Sequence, residues 1–210
     1  MSATNRNIKK YYSRIEDYDW TKAADKFIGP ETFFHRFREK EIVRLLKKYG
    51  KRGFLDLGCG TGLILRHLPS GSVGVDINPR NLEKTKKYAP RAKLVLHDIE
   101  ERLPFDNEEF NTVICCETLE HLLFPEKVLD EISRILSKDG VLVGSVPGKS
   151  ILWKLRKISF SSKYFAEEPY HKHRNKKEVE DLLSPCFRLI SFYSKPFRMN
   201  WYFVAKRINN

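Results

Sequence analysis

Short apolar segments alternate with amphipathic ones through the middle of this chain, and no other feature constrains its fold as strongly. The apolar segments, which predict β-strands, are residues 53–57, 72–77, 93–97, 110–116 and 141–146. The amphipathic segments, which predict α-helices, are residues 32–49, 61–68, 79–88 and 125–137. Strands that alternate with helices favour a parallel sheet with right-handed crossovers. We therefore predict an α/β fold with a doubly wound, Rossmann-like sheet.

The last part of the chain follows a different pattern. A predicted helix at 175–184 is followed by two apolar segments, 187–193 and 199–207, with only a short turn between them. Two strands with no helix between them pair as an antiparallel hairpin. The sequence thus predicts a seven-stranded sheet of order 3-2-1-4-5-7-6, in which residues 199–207 lie antiparallel between 141–146 and 187–193.

The first predicted strand ends in a glycine-rich loop, in the sequence FLDLGCGTG from 54 to 62. The strand carries a carboxylate, Asp56, and the loop carries Gly58 and Gly60, where the backbone can approach a ligand closely. The spacing GxGxG differs from the dinucleotide-binding GxGxxG, which would require glycine where this chain has Leu63. Taken alone, the loop is also compatible with a turn that binds nothing.

Two further acids follow the next two strands. Asp76 closes the second strand, 20 residues after Asp56, where a carboxylate can accept hydrogen bonds from both hydroxyls of a ribose. Asp98 follows the third strand, where it and the neighbouring backbone can meet the amino group and ring nitrogen of an adenine. Three acids at three successive strand ends predict one continuous groove for a nucleoside.

With these motifs in order, residues 53–146 resemble the S-adenosylmethionine-binding core of class I methyltransferases. The resemblance is to the methyltransferase type 11 group, which includes the ubiquinone-biosynthesis O-methyltransferases. A parallel sheet that ends in an antiparallel hairpin is typical of the same class. The resemblance implies S-adenosylmethionine as the cofactor and S-adenosylhomocysteine as the product. The cofactor residues that it implies are, for the methionine moiety, Asp56, Gly58 and Gly60 with Cys59 between them, and Cys116 and Glu117; for the ribose, Asp76; and for the adenine, Ile77, Asp98 and Ile99.

The chain of 210 residues contains no internal repeat or low-complexity tract, which predicts a single methyltransferase domain. Its predicted parts are an N-terminal helical cap at 1–50, a cofactor-binding core at 51–146, an acceptor-side insertion at 147–185 and a C-terminal hairpin at 186–210. No apolar run reaches about 18 residues, and the first residues lack the apolar stretch of a secretory signal, so we expect a cytoplasmic protein. The four cysteines show no CxxC spacing, so we expect them to be reduced and to bind no zinc.

The net charge of +12 has two readings. It either keeps a solvated surface soluble or attracts phosphate on RNA, on a nucleotide or on anionic lipid. Basic residues are densest at 149–163 and 171–177. Within the first of these stretches, residues 151–160 could form an amphipathic helix, either as a lid on the domain or as a peripheral membrane contact.

The sequence ETLEH, from 117 to 121, carries the candidate catalytic groups. If a helix begins near Glu117, then Glu117, Glu120 and His121 share one face, where His121 or Glu117 could act as a general base. The segment is similar to one that binds a divalent ion in ubiquinone-biosynthesis O-methyltransferases and, with a downstream histidine, in small-RNA 3′-terminal 2′-O-methyltransferases. Here His171 or His173 could supply that histidine. We expect no metal, because a carboxylate pair at a helix start is explained more simply by capping.

These observations predict an enzyme that transfers a methyl group from S-adenosylmethionine to an oxygen or nitrogen of a small or lipid-linked acceptor. Methylation of RNA, for example at a 2′-oxygen, is an alternative that the positive charge favours, although no RNA-binding motif is present. A non-catalytic binding protein on the same fold is a second alternative. The three acids argue against it, because they would preserve the cofactor groove.

Overall fold

The computed structural model describes residues 3–14, 18–26, 30–150 and 170–208. The strands are β1 Phe54–Leu57, β2 Val73–Asp76, β3 Lys93–Leu96, β4 Phe110–Cys116, β5 Leu136–Pro147, β6 Phe187–Lys195 and β7 Asn200–Arg207. The helices are α1 Ala3–Tyr12, α2 Trp20–Lys26, α3 Pro30–Tyr49, α4 Pro79–Tyr88, α5 Pro125–Ile135 and α6 Lys176–Leu183. None of the helices described is both long and apolar enough to cross a membrane.

The seven strands form one sheet of order β3-β2-β1-β4-β5-β7-β6, which confirms the predicted topology. β1 to β5 are parallel to one another. β7 lies antiparallel between β5 and β6, as the short turn between the last two apolar segments predicted. All carboxyl ends of the parallel strands therefore meet at one edge of the sheet, which we call the carboxyl edge.

Helices cover both faces of this sheet. On one face, α5 and α6 bury apolar side chains against the strands; these are Val128, Leu129, Ile132, Ile135, Val179 and Leu183. On the other face, α3 buries Ile42, Leu45 and Leu46 against residues of β4, β5 and β7. The three- and four-residue spacing of these side chains puts them on one face of each helix. Each fully buried Leu or Ile contributes about 1.5–3 kcal/mol relative to an exposed one, so the two layers hold the carboxyl edge in a defined shape.

The prediction of a helix at 61–68 is wrong. The chain forms turns there and a single 3-10 turn at Leu65–His67. Gly62 has a φ of +87°, which places it outside the right-handed helical region. At the other end, Leu68 is extended with a ψ of 155°, the conformation that a following proline, Pro69, imposes. The segment between these two residues is too short for an α-helix.

Candidate cofactor and acceptor site

The predicted cofactor acids lie together at the carboxyl edge. Asp56 is in β1, Asp76 is the last residue of β2, and Asp98 follows β3 by two residues. Because β1 and β2 pair in parallel and β3 pairs with β2, the three acids follow neighbouring strands. A groove outside the carboxyl ends of parallel strands is the usual place for a ligand in an open α/β sheet.

The glycine loop wraps around the end of β2. The backbone N–H groups of Gly58 and Cys59 both donate to the carbonyl oxygen of Val75 at 2.9 Å. Gly60 N–H donates to Asp76 Oδ2 at 2.8 Å. At Gly58 a Cβ atom would lie 2.6 Å from Thr118 Oγ1, and φ is +71°, so only glycine fits there. The loop is therefore fixed against Asp76, one of the three acids of the predicted groove.

Burial makes the two central carboxyl groups unusually basic. Burial raises the pKa of Asp56 to about 7, and the nearby charge of Asp76 adds to this effect. Burial likewise raises the pKa of Asp76 to about 6, against the lowering effect of hydrogen bonds from Asn78, Gly60 and Asn81. A positively charged ligand would lower both pKa values again, because it favours the ionised carboxylates. The sulfonium and ammonium groups of S-adenosylmethionine are charges of that sign.

Asp98 and Ile99 form the far end of the groove. Asp98 Oδ1 accepts a hydrogen bond from the backbone N–H of Glu100 at 2.9 Å. Its other oxygen forms an ion pair with Lys9 Nζ of α1. Ile99 is buried beside it. The N-terminal cap thus contacts the carboxylate that was predicted to recognise adenine.

The second helix of the cap lies over the glycine loop. The ring of Trp20 stands 3.5 Å from the position that a Cβ atom of Gly60 would take. The Thr21 hydroxyl donates to the carbonyl oxygen of Thr61 at 2.9 Å, and the Thr21 N–H donates to the Thr61 hydroxyl at 3.1 Å. These contacts place α2 against the methionine end of the predicted cofactor groove.

The prediction that a helix begins near Glu117 is wrong. Glu117 has a φ of +52°, and its backbone N–H donates to the carbonyl oxygen of Ser145 at 2.9 Å, which ties it to β5 instead. The segment forms only a 3-10 turn at Leu119–His121, and Thr118, which precedes this turn, makes no side-chain capping bond. A residue in the left-handed region cannot start an α-helix. The capping explanation, on which the expectation of no metal rested, therefore does not hold.

Glu117 and Glu120 face different partners. Glu117 Oε1 accepts hydrogen bonds from Ser145 Oγ at 2.8 Å and Asn200 Nδ2 at 2.9 Å. Its Oε2 lies 3.6 Å from Arg38 Nη1 of α3. Burial and the charge of Glu120 raise the pKa of Glu117, and Arg38 lowers it. Glu117 therefore lies beside β5 and the cap rather than with Glu120 and His121.

Glu120, His121 and His171 form a compact cluster, which we call the acceptor cluster. Glu120 is 1% exposed, and its Oε1 lies 3.8 Å from His121 Nε2 and 3.9 Å from His171 Nε2. The two imidazole rings stack with centroids 5.1 Å apart. Neither oxygen of Glu120 has a hydrogen-bond partner among the described residues. Burial opposes the ionisation of Glu120, but the two imidazoles hold its pKa below the ordinary value.

The acceptor cluster has the donor set of a divalent metal site. One nitrogen from each imidazole and one carboxylate oxygen all lie within 4.8 Å of one another. Two imidazoles with one carboxylate suit Zn²⁺, Mn²⁺ or Fe²⁺ better than Mg²⁺ or Ca²⁺, which prefer oxygen donors. A buried carboxylate whose oxygens accept no hydrogen bond fits a cation there. Of the two downstream histidines, His173 stays outside the cluster, because its Nδ1 lies 3.1 Å from the carbonyl oxygen of Gly148.

Three residues of the N-terminal cap also lie at this edge. Arg38 contacts Glu117, and its Nη2 lies 3.2 Å from His35 Nδ1. On the other side of that ring, the Tyr18 hydroxyl lies 2.8 Å from His35 Nε2. These three residues belong to the cap, which has no recognisable motif, and only packing brings them to the sheet.

The fold, the strand-end acids and the glycine loop resemble those of class I S-adenosylmethionine-dependent methyltransferases. Residues 55–144 match the family model described as a methyltransferase domain. This match covers less than half of the chain and lies within the part that the resemblance in sequence also covers. The amphipathic segment 151–160 lies outside the described residues, so its predicted role stays a prediction.

Two curated relatives place this domain in different settings. The ubiquinone biosynthesis O-methyltransferase of Coxiella burnetii is 29% identical over 152 residues, which are 68% of this chain and 64% of that protein. The mitochondrial arginine-hydroxylase NDUFAF5 of Mus musculus is 34% identical over 106 residues, which are 49% of this chain and 31% of that protein. The chain therefore spans less than two thirds of either relative. Their names differ in chemistry, so similarity alone does not give the acceptor.

Among solved structures, the chain is similar to a magnesium protoporphyrin IX methyltransferase from Synechocystis with bound S-adenosylhomocysteine. The TM-score is 0.72 at 15% identity, and the match covers 97% of this chain and 100% of that chain. At this identity the likeness establishes the fold. It extends beyond the cofactor domain to nearly the whole chain.

Proposed function

We propose that this protein transfers the methyl group of S-adenosylmethionine to an oxygen or nitrogen of a small or lipid-linked acceptor. The observation that carries the proposal is the acceptor cluster, at the carboxyl edge that also holds the cofactor acids. Oxygen and nitrogen nucleophiles generally carry a proton that must leave during methylation. The acceptor cluster provides groups that can take it.

In this proposal the cofactor lies along the groove from β4 to β3. Asp76 accepts both ribose hydroxyls, while Ile77, Asp98 and Ile99 contact the adenine. Arg38 adds a cation beside Glu117, where it can pair with the carboxylate of the methionine moiety. The remaining contacts of the methionine moiety are those that the resemblance implies, namely Asp56, Gly58, Cys59, Gly60, Cys116 and Glu117.

The chemistry asks little of the protein beyond alignment, because the sulfonium already activates the methyl group. The acceptor oxygen or nitrogen attacks the methyl carbon, the bond from that carbon to sulfur breaks, and S-adenosylhomocysteine leaves with the electron pair. His121 Nε2 takes the acceptor proton, and Glu120 stabilises the imidazolium that forms. A divalent ion held by Glu120, His121 and His171 would lower the pKa of an acceptor hydroxyl.

The distribution of exposed apolar side chains supports a lipid-linked acceptor. Five large hydrophobic residues are exposed among the described residues; they are Phe33, Leu96, Phe124, Phe197 and Ile208. Leu96 ends β3, Phe124 follows β4, and Phe197 lies in the turn beside Pro147, the end of β5. These three side chains lie at the carboxyl edge. Phe33, in the first turn of α3, is the fourth of the five at this edge.

The position of Phe33 follows from the direction of α3. Arg38 in this helix reaches Glu117 at the carboxyl edge, whereas Gly50 at its other end meets Phe54 at the start of β1. Phe33 precedes Arg38 and so extends further beyond the edge. An apolar rim on a chain of net charge +12 suits an anionic lipid surface.

A screen with isotopically labelled S-adenosylmethionine tests the proposed acceptor. Small hydroxyl and amine compounds, a lipid extract and total RNA are offered separately, and transfer to the first or second is expected. Transfer to RNA alone would establish the alternative that the positive charge favours. Tight binding of S-adenosylhomocysteine with no transfer to any pool would support the non-catalytic alternative.

Sedimentation with phosphatidylglycerol vesicles tests the lipid surface. Phe197 has a φ of +46°, so Phe197→Asn removes the ring and suits the backbone. We expect this variant to bind vesicles several-fold more weakly, while Ile208→Asn, at the other end of the molecule, binds as the wild type does. Equal binding of both variants would contradict membrane contact through this edge.

A further inference from the structure

The last residue of α1 reaches the acceptor cluster from outside. The Tyr12 hydroxyl lies 2.7 Å from His121 Nδ1, and the two rings pack with centroids 4.8 Å apart. The same hydroxyl donates a hydrogen bond to the backbone carbonyl oxygen of Tyr170 at 3.1 Å. Tyr12 thus joins the N-terminal cap to the two segments that carry the cluster.

Together, these two contacts favour one of the two neutral tautomers of His121. A tyrosine hydroxyl has one proton, and a carbonyl oxygen can only accept, so the proton of Tyr12 points to Tyr170. The hydroxyl oxygen then remains as an acceptor, and His121 Nδ1 must be the donor to it. In a neutral ring this leaves the lone pair on Nε2, the nitrogen that faces Glu120 Oε1.

We infer that Tyr12 is a positioning residue that holds His121 as its Nδ1–H tautomer and directs the Nε2 lone pair into the acceptor cluster. This inference rests on the proposed function, in which Nε2 receives the acceptor proton. The same lone pair would be the ligand if the cluster holds a metal ion, since the partner of the second nitrogen orients a ligating histidine. In either case the N-terminal cap completes the acceptor site.

The helix that carries Tyr12 is held independently of its hydroxyl. Lys9 pairs with Asp98, and the backbone carbonyl oxygen of Tyr12 accepts a hydrogen bond from Asn78 Nδ2 at 3.1 Å. Ile8 is also buried, at 4% exposed. Tyr12→Phe keeps the ring and all three contacts, so we expect the variant to fold with α1 in place.

The test is nitrogen-15 NMR of the imidazole side chains in the full chain, near pH 8 and with a chelator present. The signal of His121 is identified by its loss in His121→Gln. We expect the wild type to show the Nδ1–H tautomer and Tyr12→Phe to shift toward Nε2–H, which free histidine prefers. Tyr49→Phe, at the far end of α3, serves as the control and should leave the signal unchanged.

Two results would overturn the inference. One is a wild-type His121 that carries its proton on Nε2, and the other is the same tautomer in the wild type and Tyr12→Phe. The measurement needs no acceptor, so a failed acceptor screen leaves it intact. Once an acceptor is known, turnover of Tyr12→Phe should fall about 10–100-fold, as for other partners of functional histidines, with the KM for S-adenosylmethionine within about twofold.

Discussion

The two halves of the carboxyl edge, which we propose bind the cofactor and the acceptor, are built in different ways. The cofactor half consists of contiguous motifs, in which each acid follows its own strand and Gly60 N–H binds Asp76 only 16 residues further along the chain. The acceptor half joins residues that are far apart, such as Tyr12 and His121, which are separated by 109 residues. The residues of the first half are therefore brought together by neighbouring strands and their loops, whereas Tyr12 reaches the second half only when the cap is docked. Variants that affect one half and spare the other will show how far the two are independent.

The largest effect is expected at the acceptor cluster. Glu120→Gln should lower turnover at least about 100-fold, because a neutral amide lacks the negative charge and so stabilises an imidazolium or holds a divalent ion far more weakly than a carboxylate does. The affinity for S-adenosylhomocysteine, measured by calorimetry, should stay unchanged if the two halves are independent. The exposed Glu126→Gln should match the wild type in both assays.

Chelation separates the two roles of the cluster. If a divalent ion acts there, treatment with EDTA should reproduce the defect of Glu120→Gln, and Zn²⁺ or Mn²⁺ should restore turnover. If His121 acts alone as the base, EDTA should have no effect. A large loss of cofactor affinity in Glu120→Gln would show that the two halves are not independent.

The next largest effect is expected in the cofactor half. Asp76→Ala removes an ionised hydrogen-bond acceptor, so binding of S-adenosylhomocysteine should weaken by about 1.5–3 kcal/mol, or roughly 10–150-fold. Calorimetry gives the value directly. Asp106→Ala, an exposed acid that precedes β4 at the opposite edge, is the matched control. Equal affinities in the two variants would remove Asp76 from the cofactor site.

The pH dependence of cofactor binding is a smaller effect with a definite sign. The pKa of Asp56 is raised to about 7 and that of Asp76 to about 6, so both lose their charge as the pH falls. Binding of the cationic S-adenosylmethionine should weaken progressively from pH 8 to pH 5, by at most about 1.4 kcal/mol per unit and per group.

The stability of the ligand-free protein should change in the opposite direction. Both folded carboxyls bind protons more readily than unfolded ones, so stability decreases as the pH rises from about 4 to about 7. Urea unfolding at several pH values measures this trend. For the binding measurement, an affinity for S-adenosylmethionine that does not change with pH would show that Asp56 and Asp76 do not lie near the positive charges of the cofactor.

The smallest effect is expected for the ion pair between Lys9 and Asp98. If Asp98 receives the adenine amino group, Lys9 competes for one of its oxygens. Lys9→Met should then tighten binding of S-adenosylhomocysteine by no more than a few fold, because partly exposed ion pairs contribute about 1 kcal/mol or less. Lys10→Met, whose side chain is exposed, should have no effect. Weaker binding in Lys9→Met would mean that α1 itself holds the cofactor.

Much of the cofactor half could be predicted from the sequence. The alternation of apolar and amphipathic segments gave the complete strand order, and the three strand-end acids came out at one edge. These features depend on short-range periodicity and on the geometry that parallel strands share. The prediction failed at 61–68, because local backbone constraints at Gly62 and Pro69 outweighed an apolar pattern that suited a helix.

The composition of the acceptor half, in contrast, was decided by the tertiary structure. The sequence determined that Glu117, Glu120 and His121 would follow β4, and the resemblance offered His171 or His173 as a partner for them. Only the structure shows that Glu117 turns toward Ser145 and that His171 joins Glu120 and His121. Nor could the sequence place Tyr12 on His121. Side-chain partners at this distance in sequence are chosen by how whole helices pack on the sheet, and no local pattern encodes that packing.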